Sequence, residues 1–361
     1  SGGGAYFATL RSCSIFSNQA FGATGNDGGG GSYGGGAADC LYSNNWCFGA
    51  GGGALSSTVS NSVLVANWTR LYGGGASQSL LVNCVIHRNY SQNDGGGLYN
   101  SRAFYCTIVS NGANWMGGGT AYRTIATNCI IYHNRATQSD DNNYGFESYY
   151  DYCCTTPNPG GAHNVTNDPQ LLDVTNGNYR LRYGSPCIDA GTNLASMIDR
   201  DLDGALRPLD GNFVGAADFD IGAYEYDPDT YDTDGDWMTD GWEYGYGLSP
   251  TNAADATIHS DADSANNLQE FIADTNPTNQ ESYFHMYEFS NLTANTLYFD
   301  SSSNRFYTLL FCTNLLEGIW TNAPGQTGVI GKGGADSIAD TNPVAVQQFY
   351  RLRVRLPAGD H

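Results

Sequence analysis

The sequence predicts an all-β chain in which a parallel β-helix, a solenoid of stacked coils, is followed by an acidic linker module and a small β-sandwich. Three observations predict it. A glycine run, a Cys or Ser and then an Asn recur six times at fixed spacing within the first 137 residues. Residues 229–280 carry aspartates at alternate positions. Residues 281–361 alternate aromatic and aliphatic runs with Gly, Asn and Pro turns, the pattern of short antiparallel strands.

The glycine runs are Gly2–Gly4, Gly28–Gly31, Gly51–Gly53, Gly73–Gly75, Gly95–Gly97 and Gly117–Gly119. Eleven or twelve residues later come Cys13, Cys40, Ser62, Cys84, Cys106 and Cys129, and five beyond these Asn18, Asn45, Asn67, Asn89, Asn111 and Asn134. A period of 27, then 22, 22, 22 and 23 residues marks a solenoid. Within one period, Gly95–Tyr99, Ser101–Tyr105 and Cys106–Ser110 read as three short strands, with Asn111-Gly112 as the turn. Alternation places each Cys or Ser and the residue two later (Ile15, Tyr42, Leu64, Ile86, Ile108 and Ile131) in the interior. The Asn column reads as a side-chain amide ladder, each amide donating to one neighbour and accepting from the other. The glycines are expected to supply positive φ at corners and to let layers approach closely.

Five of the ten cysteines fall in the Cys column, where in-register neighbours suit buried thiols better than disulfides. Cys40 with Cys47, and Cys153 or Cys154 with Cys187, are the expected bridges. The outward positions Leu41, Val63, Val65, Val85, Thr107, Val109, Ile130 and Tyr132 are mostly apolar, so either the carboxyl-terminal part or another chain is expected to cover them.

Composition excludes some functions. Net charge is −21 and Lys332 is the only lysine, which disfavours contact with nucleic-acid phosphate. No apolar run approaches the roughly 20 residues of a membrane-spanning helix. No signal peptide is visible and the chain opens inside a repeat, so a piece of a longer, exported chain is expected.

The coils, with Asn167–Asp173, Asn178–Gly191, Arg200–Pro208 and Asp218–Tyr226, resemble the bacterial right-handed β-helix surface proteins with variable carboxyl-terminal anchors. The resemblance covers residues 1–226 and implies a right-handed coil, export and, for many members, no demonstrated catalysis. Asp199, Asp201 and Asp203 form Asp-rich turns that could bind an ion.

Asp232, Asp234, Asp236, Asp240 and Glu243 occupy positions 1, 3, 5, 9 and 12 of a twelve-residue loop, the ligand spacing of a calcium site, with Met238 offering its carbonyl. Trp237 stands at position 6, where glycine is usual. A second copy has Asp261, Asp263, Asn267 and Glu270 at positions 3, 5, 9 and 12, but opens on His259, a poor calcium ligand. The pair resembles thrombospondin type 3-like calcium repeats over about residues 229–280, which implies Ca2+ rigidifying an acidic linker.

The expected organisation is therefore coils over 1–137, closing coils over 138–226, the calcium module over 227–280 and a β-sandwich over 281–361, whose last strand aligns Arg351, Arg353 and Arg355 on one face. The expected function is a secreted or cell-surface structural protein, non-catalytic and self-associating head to tail into a filament or adhesive appendage. Two alternatives stand beside it. A polysaccharide-cleaving enzyme would draw on His87, Arg88, His133 and Arg135, although the coils carry no paired Asp/Glu column. A polysaccharide-binding adhesin would use exposed tyrosines, including Tyr144, Tyr149, Tyr150 and Tyr152.

Overall fold

The computed structural model describes residues 2–21, 27–139, 143–194, 196–292, 294–343 and 347–357. The chain divides into two compact units, Ser1–Asp227 and Pro228–His361.

The first unit is a β-solenoid of parallel, in-register strands. Each full coil carries four short strands, for example Leu98–Tyr99, Arg102–Phe104, Thr107–Val109 and Gly112–Ala113. The expected Asn111-Gly112 turn therefore opens a fourth strand, pairing Tyr90↔Gly112 and Gly112↔Arg135. The third strands form a seven-stranded sheet from Ser14–Phe16 to Cys154–Thr155. Its central register, Ile15↔Tyr42↔Leu64↔Ile86↔Ile108↔Ile131, puts the predicted interior column in the core, with all six side chains buried.

The corners are built differently from the expectation. In the four runs from Gly51 onward only the first glycine adopts positive φ: Gly51 at 70°, Gly73 at 67°, Gly95 at 68° and Gly117 at 60°. The other three corners are turned by non-glycine residues in the left-handed region, such as Gln78, Asn83 and Arg88 in one coil. Each costs about 1–2 kcal/mol of backbone strain. Each also stands immediately before a ladder residue (Ser79, Cys84 and Asn89) whose side chain bonds neighbouring backbone, and those bonds offset the strain. The second and third glycines serve close approach instead: a Cβ on Gly74 would lie 2.4 Å from Gly96 O and 2.6 Å from Tyr90 O.

The amide ladder runs as predicted and extends one coil further, to Asn143. Asn67 Nδ2 donates to Asn89 Oδ1 at 2.9 Å, and Asn89 Nδ2 to Asn111 Oδ1 at 3.0 Å. The same oxygens accept backbone N–H bonds from Asn67 and Asn89, and the second amide proton of Asn89 goes to Leu64 O. Buried amides are thus satisfied coil after coil. A hydroxyl ladder not anticipated from the sequence runs beside it: Ser57 N donates to Ser79 Oγ, Ser79 N to Ser101 Oγ, and each hydroxyl donates to a carbonyl two residues back.

All ten cysteines are free thiols, so the expected bridges do not form. Cys40 and Cys153 lie in the Cys column, their Sγ–H groups donating to Ala38 O and Asp151 O. Cys47 points instead toward Ala50 O, and Cys154 toward Asn167 O. Cys40 and Cys47 thus aim at separate carbonyls, whereas the Cys187 thiol lies against that of Cys154 without a bond between them.

Residues 143–165 continue the coil through Tyr149–Asp151 and Cys154–Thr155, whereas 166–226 fold back as a flap. The flap covers the apolar stripe: Val85, Thr107, Val109 and Ile130 are buried, while Leu41, near the first coil, is not. Its hydrogen bonds reach the corner residues, with Tyr105 Oη donating to Thr192 O at 3.0 Å and Asn128 exchanging two bonds with Thr192. Within the flap, Arg207 and Glu225 form a fully buried pair, the guanidinium 4.8 Å over the Tyr105 ring. Carboxylates replace a regular sheet here as acceptors for backbone: Asp220 accepts Asp189 N and Tyr226 N, and Asp201 accepts Asp203 N, Ala205 N and Glu225 N.

In the second unit, helix Asn267–Ala273 is set by its sequence: Asn266 caps it and Gln269 completes a capping box. Two antiparallel sheets follow. Met286–Ser290, Asn295–Ser301 and Gly334–Asp340 form one; Phe306–Cys312 with Thr321–Asn322, Val329–Ile330 and Phe349–Arg355 form the other. Leu297, Phe299, Tyr307, Leu309, Ile338 and Leu352 give them a shared core. Two of the three arginines of the last strand cover aromatic rings, Arg351 over Trp320 and Arg355 over Phe306. Among the described residues, no helix is long and apolar enough to cross a membrane.

Candidate metal centre

The first acidic loop is turned by its own carboxylates. Asp232 accepts the amides of Gly235, Asp236 and Trp237, and Asp236 Oδ1 accepts Met238 N at 2.9 Å. Trp237 has φ 82°, so it adopts the left-handed conformation for which glycine is usual at that position, with its ring exposed. The loop then enters helix Asp240–Gly245.

This folding converges five carboxylates into two overlapping trios. Oxygens of Asp232, Asp234 and Asp236 lie within 4.8 Å of one another, as do those of Asp236, Glu243 and Asp255. Asp255 sits in a 3-10 turn, Asp255–Thr257, where the loop spacing places no ligand. It follows Glu243 by twelve residues in Asn252-Ala-Ala-Asp-Ala and belongs to neither loop pattern, so only the fold reveals it. Asp240 behaves differently: its two oxygens accept Thr233 N and Thr233 Oγ1 at 2.8 and 2.6 Å, and it lies outside both trios. Met238 buries its side chain in a small core with Ala256 and Phe271, leaving its carbonyl as the group it could offer an ion.

The second loop groups Asp261, Asp263 and Glu270 within the same distance, and Asn267 lies fully buried on the helix one turn before Glu270. His259, at its first position, is exposed and outside the group.

The decisive feature is what these oxygens lack. Among the described residues, sixteen buried side-chain polar atoms have no hydrogen-bond partner, and ten of them belong to these two clusters. They are both oxygens of Asp234 and of Glu243, Asp236 Oδ2, Asp255 Oδ1, Asp261 Oδ2, Asp263 Oδ2, Asn267 Oδ1 and Glu270 Oε2. The Asp236 and Asn252 amides face Asp234 outside normal hydrogen-bond geometry. Buried polar groups are ordinarily satisfied, and leaving a carboxylate unpaired costs several kcal/mol. No ion pair among the described residues reaches either cluster. Burial, followed by the charges of Asp236, Asp234 and Asp255, pushes Glu243 up to about 9. Burial and the neighbouring aspartates push Glu270 up to about 7. Such clusters call for a cation, and the groups present fit an oxygen-liganded metal.

The other candidates do not assemble. Arg88 donates to Thr175 O of the flap, His87 meets Tyr179 Oη, and His133 packs on Tyr132. Arg135 lies on a fourth strand, paired with Gly112. Tyr150, expected to be exposed, is buried because it lies on the inward face of its strand, below Ala126, with its hydroxyl bonded to Thr120 Oγ1. Tyr144 packs against the same core and Tyr152 stacks on His163, leaving Tyr149 exposed. Asp201 and Asp203 are engaged by backbone amides and by Arg180. In comparisons with family models, curated proteins and solved structures, nothing matches this chain.

Proposed function

We propose that the chain is an exported, non-catalytic structural protein whose second unit is held in shape by two calcium ions. The observation that carries this reading is the concentration of ten unpartnered buried oxygens in two clusters. Calcium is favoured over magnesium because it accepts six to eight oxygens in irregular geometry and a bidentate Glu, whereas magnesium keeps several waters. Glu243, with both oxygens unpartnered, is the bidentate ligand; Asp232, Asp234, Asp236 and Asp255 join it, with the Met238 carbonyl. Asp261, Asp263, Asn267 and Glu270 hold the second ion. The spacing supports reading the module as thrombospondin type 3-like. A millimolar calcium setting outside the cell suits both sites, and every solenoid thiol except half-buried Cys13 is buried, shielded from oxidants there.

The test is calcium titration of the full chain after chelation, followed by calorimetry and thermal unfolding. Binding of two ions and a rise in the melting midpoint of the second unit are expected, since a ligand stabilises the state that binds it. Identical melting with calcium and with chelator would overturn the reading.

A further inference from the structure

We infer that the two ion sites are mechanically joined through Asp255 and Asn267, so that each ion strengthens binding of the other; this rests on the calcium reading above. Asp255 contributes its side chain to the first cluster, and its backbone carbonyl accepts a bond from Asn267 Nδ2 at 2.9 Å. The opposite atom of that same amide, Asn267 Oδ1, is buried and unpartnered, and Asn267 stands at position 9 of the second loop. Asn267 N also donates to Ile258 O, clasping the 3-10 turn to the start of helix Asn267–Ala273. One planar amide therefore has its donor end on a residue of the first cluster and an unpartnered acceptor end that the second loop's spacing assigns to the other ion.

The apolar packing reinforces the link. Met238, Ala256 and Phe271 form one core, and each is a close chain neighbour of a cluster residue: Asp236, Asp255 and Glu270. An ion that draws Asp234, Asp236, Glu243 and Asp255 together fixes the 3-10 turn, and so fixes the orientation of the Asn267 amide before the second ion arrives. The repulsion among carboxylates in each empty cluster opposes that order; relieving it in one site relieves part of the strain on the shared core. Coupling between two binding sites is reciprocal, so emptying the second must weaken the first by the same factor.

The experiment uses the full chain, with terbium as a calcium substitute whose luminescence is sensitised by Trp237 and Trp242 beside the first loop, alongside calorimetric calcium titration. The wild-type chain should bind with a Hill coefficient above 1. Glu270→Gln, which disables the second site, should lower terbium affinity at the first by about fivefold or more, the lower range of allosteric coupling. Asn267→Asp keeps an oxygen for the second ion but removes the N–H that reaches Asp255. It should leave two ions bound and bring the Hill coefficient to 1. Circular dichroism establishes that each variant is folded; if Glu270→Gln is not, Asn267→Asp carries the test. Two ions binding independently in the wild-type chain, or first-site affinity unchanged in Glu270→Gln, would overturn the coupling alone. Absence of terbium and calcium binding altogether would overturn the calcium reading with it.

Discussion

The hydroxyl of Tyr179 meets Nδ1 of His87 at 2.8 Å, joining strand Asn178–Leu181 of the flap, which pairs antiparallel with Leu171–Asp173, to the third-strand sheet of the solenoid. Tyr179 is buried and its ring stands edge-on to the imidazole, 5.1 Å between centroids. The contact fixes the flap against the coils at a titratable group.

Acidification is therefore expected to loosen the flap. Burial, and secondarily the Arg88 charge, lower His87 from 6.5 to about 4. Between those values the unfolded chain takes up a proton that the folded chain refuses, so a destabilising penalty, absent above 6.5, grows as pH drops from 6.5 toward 4. Glu225, pushed up to about 7 by burial, works in the opposite sense. The readout is consequently the difference between the wild-type chain and His87→Phe in amide exchange over residues 166–226. The wild-type flap should lose more protection across the window; equal losses would refute the assignment.

Breaking the amide ladder should cost more than its single side chain suggests. Asn89→Ala leaves Asn67 N and Asn67 Nδ2 without the oxygen they share, and frees Leu64 O. At about 1–3 kcal/mol for each buried group left unsatisfied, a loss of several kcal/mol is expected. Chemical denaturation would measure it. A variant within about 0.5 kcal/mol of wild type, the range of an ordinary surface change, would mean the ladder is dispensable.

Glycines of the two classes should respond differently to alanine. Gly177 has φ 83°, and a Cβ there would meet only the Tyr179 hydroxyl, 4.0 Å away, so Gly177→Ala costs about 1–2 kcal/mol of backbone strain. Gly74 has an ordinary φ but would drive its Cβ into the Gly96 carbonyl of the next coil and the Tyr90 carbonyl of its own fourth strand, and Gly74→Ala should prevent the coils from stacking. Comparable melting of the two variants would contradict the close-approach role.

Asp240 and Glu243 separate bracing from ligation. Asp240→Asn should lower stability by weakening the hold on Thr233 while leaving two calcium ions bound, because both Asp240 oxygens are already engaged. Glu243→Gln should empty the first site. Calorimetric stoichiometry distinguishes them, and loss of an ion in Asp240→Asn would place that residue among the ligands.

The coil period, the interior column, the Asn ladder and the two acidic loops were legible because each repeats a local pattern at constant spacing. The apolar stripe also announced that something covers it. What covers it was not legible: the flap contacts Tyr105, Asn128 and Thr107 across roughly 60 to 120 residues of chain, through loop backbone with no periodicity. The fourth strand escaped notice because two residues per coil are too few to show alternation.

By itself the sequence determined a stacked parallel architecture, because one coil cannot bury its apolar face without the next. It also determined the acidic loops, whose aspartates must turn the backbone at their own positions. Only the tertiary structure decided which oxygens converge. It turned Asp240 away to Thr233 and brought in Asp255, since a cluster of oxygens is defined by where side-chain atoms meet in space, and spacing along the chain constrains that only within a single loop.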